Sequence, residues 1–252
     1  MGQRPKRGSH LDYLAISYQL LAISFRLNNE MLDYLIDIDT EALLAVNGWH
    51  DVFQDAFWWM VSSKLSSLLL VLAFIWVLMR QNRRHALLVL AMLALAFVLA
   101  DQVSSGLIKH LVERLRPTHD PSLENAVHVI NGYRGGLYGF VSSHAANSFA
   151  AATLLAFVMR HKAVTFSLFT WALLQCYSRV YLGVHYPGDI LGGVIVGVLA
   201  GWLIWRLMRW IQHRHHLPQG LYTRTEATIM ASSIALTILI LLIVSLTQSL
   251  MI

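Results

Sequence analysis

Apolar blocks of about membrane-crossing length recur along most of this chain, separated by short polar connections. They run over residues 57–79, 86–109, 142–159, 163–178, 188–208 and 227–248. An α-helix needs ~20 such residues to cross ~30 Å of hydrocarbon. The pattern predicts an all-α fold, a polytopic membrane helix bundle with about six transmembrane helices. Upstream the pattern changes. Over residues 32–46, Asp33, Asp37, Asp39 and Glu41 alternate with Leu and Ile at roughly helical spacing. That spacing predicts an N-terminal interfacial helix ending near Asn47-Gly48. Residues 31–56 are assigned to this interfacial segment and 57–252 to the membrane domain. Residues 1–30 are poorly defined. Three cations precede an apolar run at 11–25 that is short for a span, contains Asp12 and lacks a small-residue cleavage site before Asn28.

Composition sharpens this reading. Of 252 residues, 56% are hydrophobic and 13% charged, which excludes an ordinary soluble domain. The formal charge of +5 reads as topology and contact with anionic headgroups, with no nucleic acid as partner. Arg80, Arg83 and Arg84 follow the first block, Arg160 and Lys162 the third, and Arg206, Arg209, Arg214 and Arg224 surround the connection before the last. All three clusters fall on one side, which the positive-inside tendency assigns to the cytoplasm. The 110–141 loop and the 179–187 turn then face the periplasm or exterior. Cys176 is the single cysteine, so no intrachain disulfide forms. Gly193, Gly197 and Gly201, four residues apart, predict close helix packing.

Chemistry-bearing residues gather at the ends of the predicted spans on that outer side. Lys109 precedes Arg116-Pro117 by seven residues, a separation that puts both cations on nearly one helical face. Ser142, Ser143 and His144 open the third span. Ser178-Arg179, five residues, His185, three residues and Asp189 form the third group. Taken singly, Lys109 and Arg116 read as interfacial cations that snorkel, and a His-x3-Asp pair as a helix cap. Taken together they match a phosphate site. Lys109, Arg116 and Arg179 would neutralise the nonbridging oxygens. Ser142 and Ser143, with the amides at the start of the third span, form an anion site at a helix N-terminus. Ser143 reads equally as ligand and as cap. Neutral His185 would attack phosphorus through one ring nitrogen while Asp189 holds the other. His144 would protonate the leaving group and then activate water. Fixed cations supply the charge stabilisation, so neither a cofactor nor a metal is expected. Asp101, ionisable inside the second span, either serves the site or pairs with a neighbouring helix.

These three groups resemble the type 2 phosphatidic acid phosphatase family of the vanadium-haloperoxidase superfamily. Its pattern is Lys-x6-Arg-Pro, Pro-Ser-Gly-His and Ser-Arg-x5-His-x3-Asp. The first and third match in full, and the motif-bearing core spans about residues 100–200. In the second, Val141 and Ser143 replace proline and glycine. The stretch from Gly139 to Asn147 is similar to bacterial undecaprenyl diphosphate or lipid A phosphatases. The resemblance implies a bacterial inner-membrane enzyme that hydrolyses a lipid phosphomonoester or diphosphate at the outer membrane face through a phosphohistidine, with undecaprenyl diphosphate or a related phosphorylated membrane lipid as substrate and partner. Lipid-to-lipid phosphotransfer by the same intermediate and non-hydrolytic lipid-phosphate binding stand as alternatives.

Overall fold

The computed structural model describes residues 30–251, so all but the last residue of the 1–30 segment lies outside the described residues. Helix α1 comprises residues 30–47. Eight further α-helices follow: α2 (Val52–Val61), α3 (Leu68–Met79), α4 (Arg83–Asp101), α5 (Lys109–Val112), α6 (Ser143–Met159), α7 (Lys162–Tyr181), α8 (Pro187–Arg214) and α9 (Arg224–Ser249). Among the described residues there is no strand, only one isolated bridge between Leu115 and Tyr138. The chain divides into Met1–Glu41 and Ala42–Ile252. In the first unit, residues 30–41 are helical, as the carboxylate–aliphatic spacing predicts. Everything that follows concerns the second.

The predicted blocks become helices, but not all become straight spans. Among the described residues, three helical runs are long and apolar enough to cross a membrane: Arg83–Val112, Pro187–Arg214 and Arg224–Ser249. Arg83–Val112 joins α4 to α5 through a π-helical segment, Gln102–Ile108. The expected first span, 57–79, is instead broken, with α2 and α3 meeting at 70°. Between them lies the serine-rich segment 62–67. There the Ser66 hydroxyl donates to the carbonyls of Val61 (2.8 Å) and Ser63 (2.7 Å). A side chain that satisfies these carbonyls competes with the helical ladder and favours a turn. Counting that bent pair as one span gives up to four. Helix α6, with 17 residues, rises only about 25 Å. The helix expected to end near Asn47-Gly48 does so. Helix α1 stops before Gly48, and Asp51 starts α2 by accepting the Gln54 amide at 2.8 Å.

Helix α6 is the centre of the bundle and α8 lies against it. The glycine stripe sets their separation. A methyl group added at Gly193, Gly197 or Gly201 would come within 2.4–2.5 Å of the carbonyl oxygens of Ser142, Ala146 and Ala150 respectively. Each glycine thus admits one turn of α6 backbone. With lipid outside, such close van der Waals contact is what holds helices together. This approach carries the start of α6 to the start of α8, where the Ser142 amide donates to the Asp189 carbonyl at 2.9 Å. At the other end the basic connections meet. Arg80 pairs with Glu226 at 3.5 Å, and Arg160 and Arg209 line one cleft with His85. The three arginine-rich clusters therefore share an end, as their spacing predicts.

Candidate active site

Four chain segments deliver the predicted residues to one place, opposite the basic connections. Tyr186 ends the turn after α7, Pro187 takes the first position of α8, and Asp189 falls in its first turn. The Asp189 Oδ2 atom accepts the Tyr186 amide at 3.1 Å and lies 3.2 Å from His185 Nδ1. His185 and Asp189 are both fully buried. With Nδ1–H held by the carboxylate, the lone pair of a neutral imidazole resides on Nε2. That atom is buried and has no hydrogen-bond partner. It is the arrangement of an oriented nucleophile.

The cations surround this ring. Burial pushes the His185 pKa well below the ordinary histidine value, and Arg116, Arg179, Lys109 and His144 push it further in that order. All four therefore act on the same imidazole. Arg179, 2% exposed, spends Nη1 on the Ser62 hydroxyl and Nη2 on the Tyr133 hydroxyl (2.9 Å). Its Nε–H is buried without a partner. Arg116 donates from Nε to the Tyr138 carbonyl (3.1 Å) and from Nη1 to that of Val184 (3.3 Å). These bonds aim two guanidiniums that water would otherwise leave mobile.

Lys109 and Arg116 are not two turns apart on one helix. Helix α5 ends at Val112, Glu113 turns into the left-handed region (φ 51°), and Arg116 lies on the loop beyond. The seven-residue spacing instead measures one helix end plus a turn. Arg116 is held in place by its amide, which donates to Leu137 at 3.0 Å.

The altered second motif resolves into two different roles. Ser142 is the cap of α6, and its hydroxyl accepts the Ala145 amide at 3.4 Å. Ser143 faces α4 and α5. Its hydroxyl accepts from Lys109 Nζ at 3.0 Å and lies 2.6 Å from that of Ser105, which reaches Asp101 Oδ1 at 3.2 Å. Asp101 thus pairs across the helices through two serines, and the π-helical turn between it and Lys109 brings Ser105 into line. His144, one residue on, is exposed at the mouth of the site.

Sequence reasoning passed over Arg114. Its Nη1 donates to Asp189 Oδ1 at 3.2 Å, and its guanidinium stacks 3.8 Å over the Tyr186 ring. It lies inside the Lys-x6-Arg interval, whose fixed ends draw attention from the residues between. Ser62 and Ser105 were also legible only as polar residues near span ends. Arg134 staples its loop by donating to the Thr118 carbonyl at 3.1 Å.

Restoring glycine at position 143 is expected to lower kcat/KM about fivefold, the worth of roughly 1 kcal/mol for a charge-assisted hydrogen bond lost from Lys109. Ser105→Ala is expected to do the same, and the double variant to lose little more. Steady-state kinetics of the three variants measures this. A gain on Ser143→Gly would show that closer backbone approach to phosphate outweighs the aim of Lys109.

The sequence pattern described as the PAP2 superfamily matches residues 85–213. A lipid A 4'-phosphatase from Bacteroides thetaiotaomicron is 37% identical over 177 residues, covering 69% of this chain and 79% of that protein. A lipid A 4'-phosphatase from Porphyromonas gingivalis is 30% identical over 184 residues, covering 73% and 78%. The crystal structure of Aquifex aeolicus LpxE aligns with a TM-score of 0.52 at 25% identity, covering 66% of this chain and 94% of that one.

Proposed function

The chain belongs to the PAP2 superfamily and is a membrane lipid phosphatase, and from that premise we propose how it acts and on what. His185 is the nucleophile. Its Nε2 attacks phosphorus in line, the bond to the lipid oxygen breaks, and His144 gives that oxygen a proton. This leaves a phosphohistidine and a lipid alcohol. His144 then takes a proton from water, whose oxygen attacks phosphorus, and inorganic phosphate leaves with His185 restored. Lys109, Arg116 and Arg179 bind the nonbridging oxygens, most strongly as charge concentrates in the transition state. The amides and hydroxyls at the start of α6 complete the anion site. The single observation that carries this reading is the buried, partner-free His185 Nε2 with Asp189 behind it.

The substrate we propose is a phosphomonoester on a lipid A-class glycolipid, by similarity to the two relatives at 37% and 30% identity. We read six membrane crossings, with α2–α3 as a bent one and α4–α5, α6, α7, α8 and α9 as the others, and propose the site on the outer face of a bacterial inner membrane. The arginine clusters at the opposite helix ends support that orientation. The test is phosphate release by purified protein in excess chelator. The panel holds a lipid A phosphate, undecaprenyl diphosphate, phosphatidylglycerol phosphate and phosphatidic acid. Fastest turnover of the lipid A phosphate is expected. Preference for the diphosphate would replace that substrate. Transfer to a second lipid without inorganic phosphate would replace hydrolysis by phosphotransfer.

A further inference from the structure

Away from the phosphate site, three side chains from separate segments converge at the start of α2. The ligand-type atoms of His50, Asp55 and His128 all lie within 4.8 Å of one another. His128 Nε2 sits 2.8 Å from Asp55 Oδ2, and the rings of His50 and His128 stack at 3.7 Å with planes 2° apart, so the exposed His50 ring must turn out of the stack before both imidazoles can point at one ion. Among the described residues this is the one group of three or more His, Cys, Asp or Glu side chains so placed. We propose that it is a binding site for a divalent transition ion of the Zn2+ class, held by one nitrogen from each histidine and one Asp55 oxygen.

The chemistry of the donors selects that class. Two imidazoles and one carboxylate suit Zn2+, whereas Mg2+ and Ca2+ prefer oxygen alone. Three ligands leave a fourth, tetrahedral position for water, and His50 is exposed, so an ion has a path in. An ion would replace the hydrogen bond between His128 Nε2 and Asp55 Oδ2.

The surroundings are built as a support for such ligands. Tyr181 donates its hydroxyl to Asp55 Oδ1 at 2.7 Å, orienting the carboxylate from behind. Asn47, fully buried, clamps the backbone of His128 from both sides. Its Oδ1 accepts the His128 amide at 2.7 Å, and its Nδ2 donates to the His128 carbonyl at 2.9 Å. Nδ2 also donates to the Tyr181 carbonyl at 2.8 Å. Two ligands are thereby fixed before any ion arrives. An ion would join the loop carrying His128 to α2, whose far end holds Ser62 against Arg179. Its role is to brace that frame rather than to touch phosphate, and the site does not depend on the phosphatase reading.

The competing account is a hydrogen-bonded cluster complete without a metal. Untagged, chelator-treated protein in detergent is titrated with Zn2+ by calorimetry and with Co2+ by visible absorption. Thermal unfolding is followed with and without Zn2+. The expected result is one ion per chain, a raised unfolding midpoint, and intense Co2+ bands of a four-coordinate site. His50→Ala and His128→Ala are each expected to weaken Zn2+ binding at least about tenfold. A variant with His213, His215 and His216 changed to alanine is expected to bind as wild type. Chelator-treated His50→Ala should keep basal phosphatase activity, which shows that it folds. Wild type that binds no Zn2+, or His50→Ala and His128→Ala that both bind it undiminished, overturns the proposal.

Discussion

His185→Ala is expected to lower kcat by roughly 10⁴-fold or more, as loss of a nucleophile does elsewhere. The variant should still bind phosphorylated lipid, because Lys109, Arg116 and Arg179 owe their aim to other partners. Arg116 leans on the Tyr138 and Val184 carbonyls, Arg179 on Ser62 and Tyr133, and Lys109 on Ser143. The ring is fully buried, so its removal leaves a cavity, and His185→Asn provides a better-filled second variant. Turnover above a hundredth of wild type in both would remove the proposed nucleophile. The same residue sets an expectation for pH. The neutral imidazole is the reactive form, and burial and then the surrounding cations depress its pKa. A depressed pKa keeps the ring neutral as pH falls below the ordinary histidine value of about 6.5. In kcat/KM, after correction for substrate ionisation, the limb owed to this group should therefore lie below that value. A limb above it would mean that Asp189 outweighs the cations.

Asp189→Asn is expected to cost about 10³- to 10⁴-fold in kcat, by the logic of the carboxylate behind a catalytic histidine. An amide cannot replace this carboxylate in either orientation. With its oxygen toward His185 Nδ1 and the Tyr186 amide, its NH2 group faces the Arg114 guanidinium, donor against donor. Turned over, the NH2 group faces Nδ1 and favours the tautomer with its proton on Nε2, which cannot attack. Arg114→Met separates the two penalties. Alone it leaves the His185 contact intact and should cost far less than Asp189→Asn. In the double variant it removes the clash with the amide and should recover part of the loss. Wild-type kinetics in Asp189→Asn would show that the carboxylate only caps α8.

The helices and the motif residues were readable from the sequence because both rest on local facts. A run of apolar side chains must become helical in lipid, since each backbone amide and carbonyl needs a partner within its own segment. Pro187 followed by Asp189 starts a helix by the same local chemistry, and the glycine spacing of α8 announces a close neighbour. None of these facts names the neighbour. The approach of α6 to those glycines, the break at 62–67, and the turn at Glu113 that separates Lys109 from Arg116 depend on contacts across the fold. So do Arg114 on Asp189 and the Ser105–Ser143–Lys109 relay, which link residues 34 to 75 positions apart. Sequence alone thus determined the helical membrane character and the inventory of candidate catalytic groups. Tertiary structure decided which donor meets which acceptor, because hydrogen bonds and ion pairs act over a few ångströms and only packed helices bring distant residues that close.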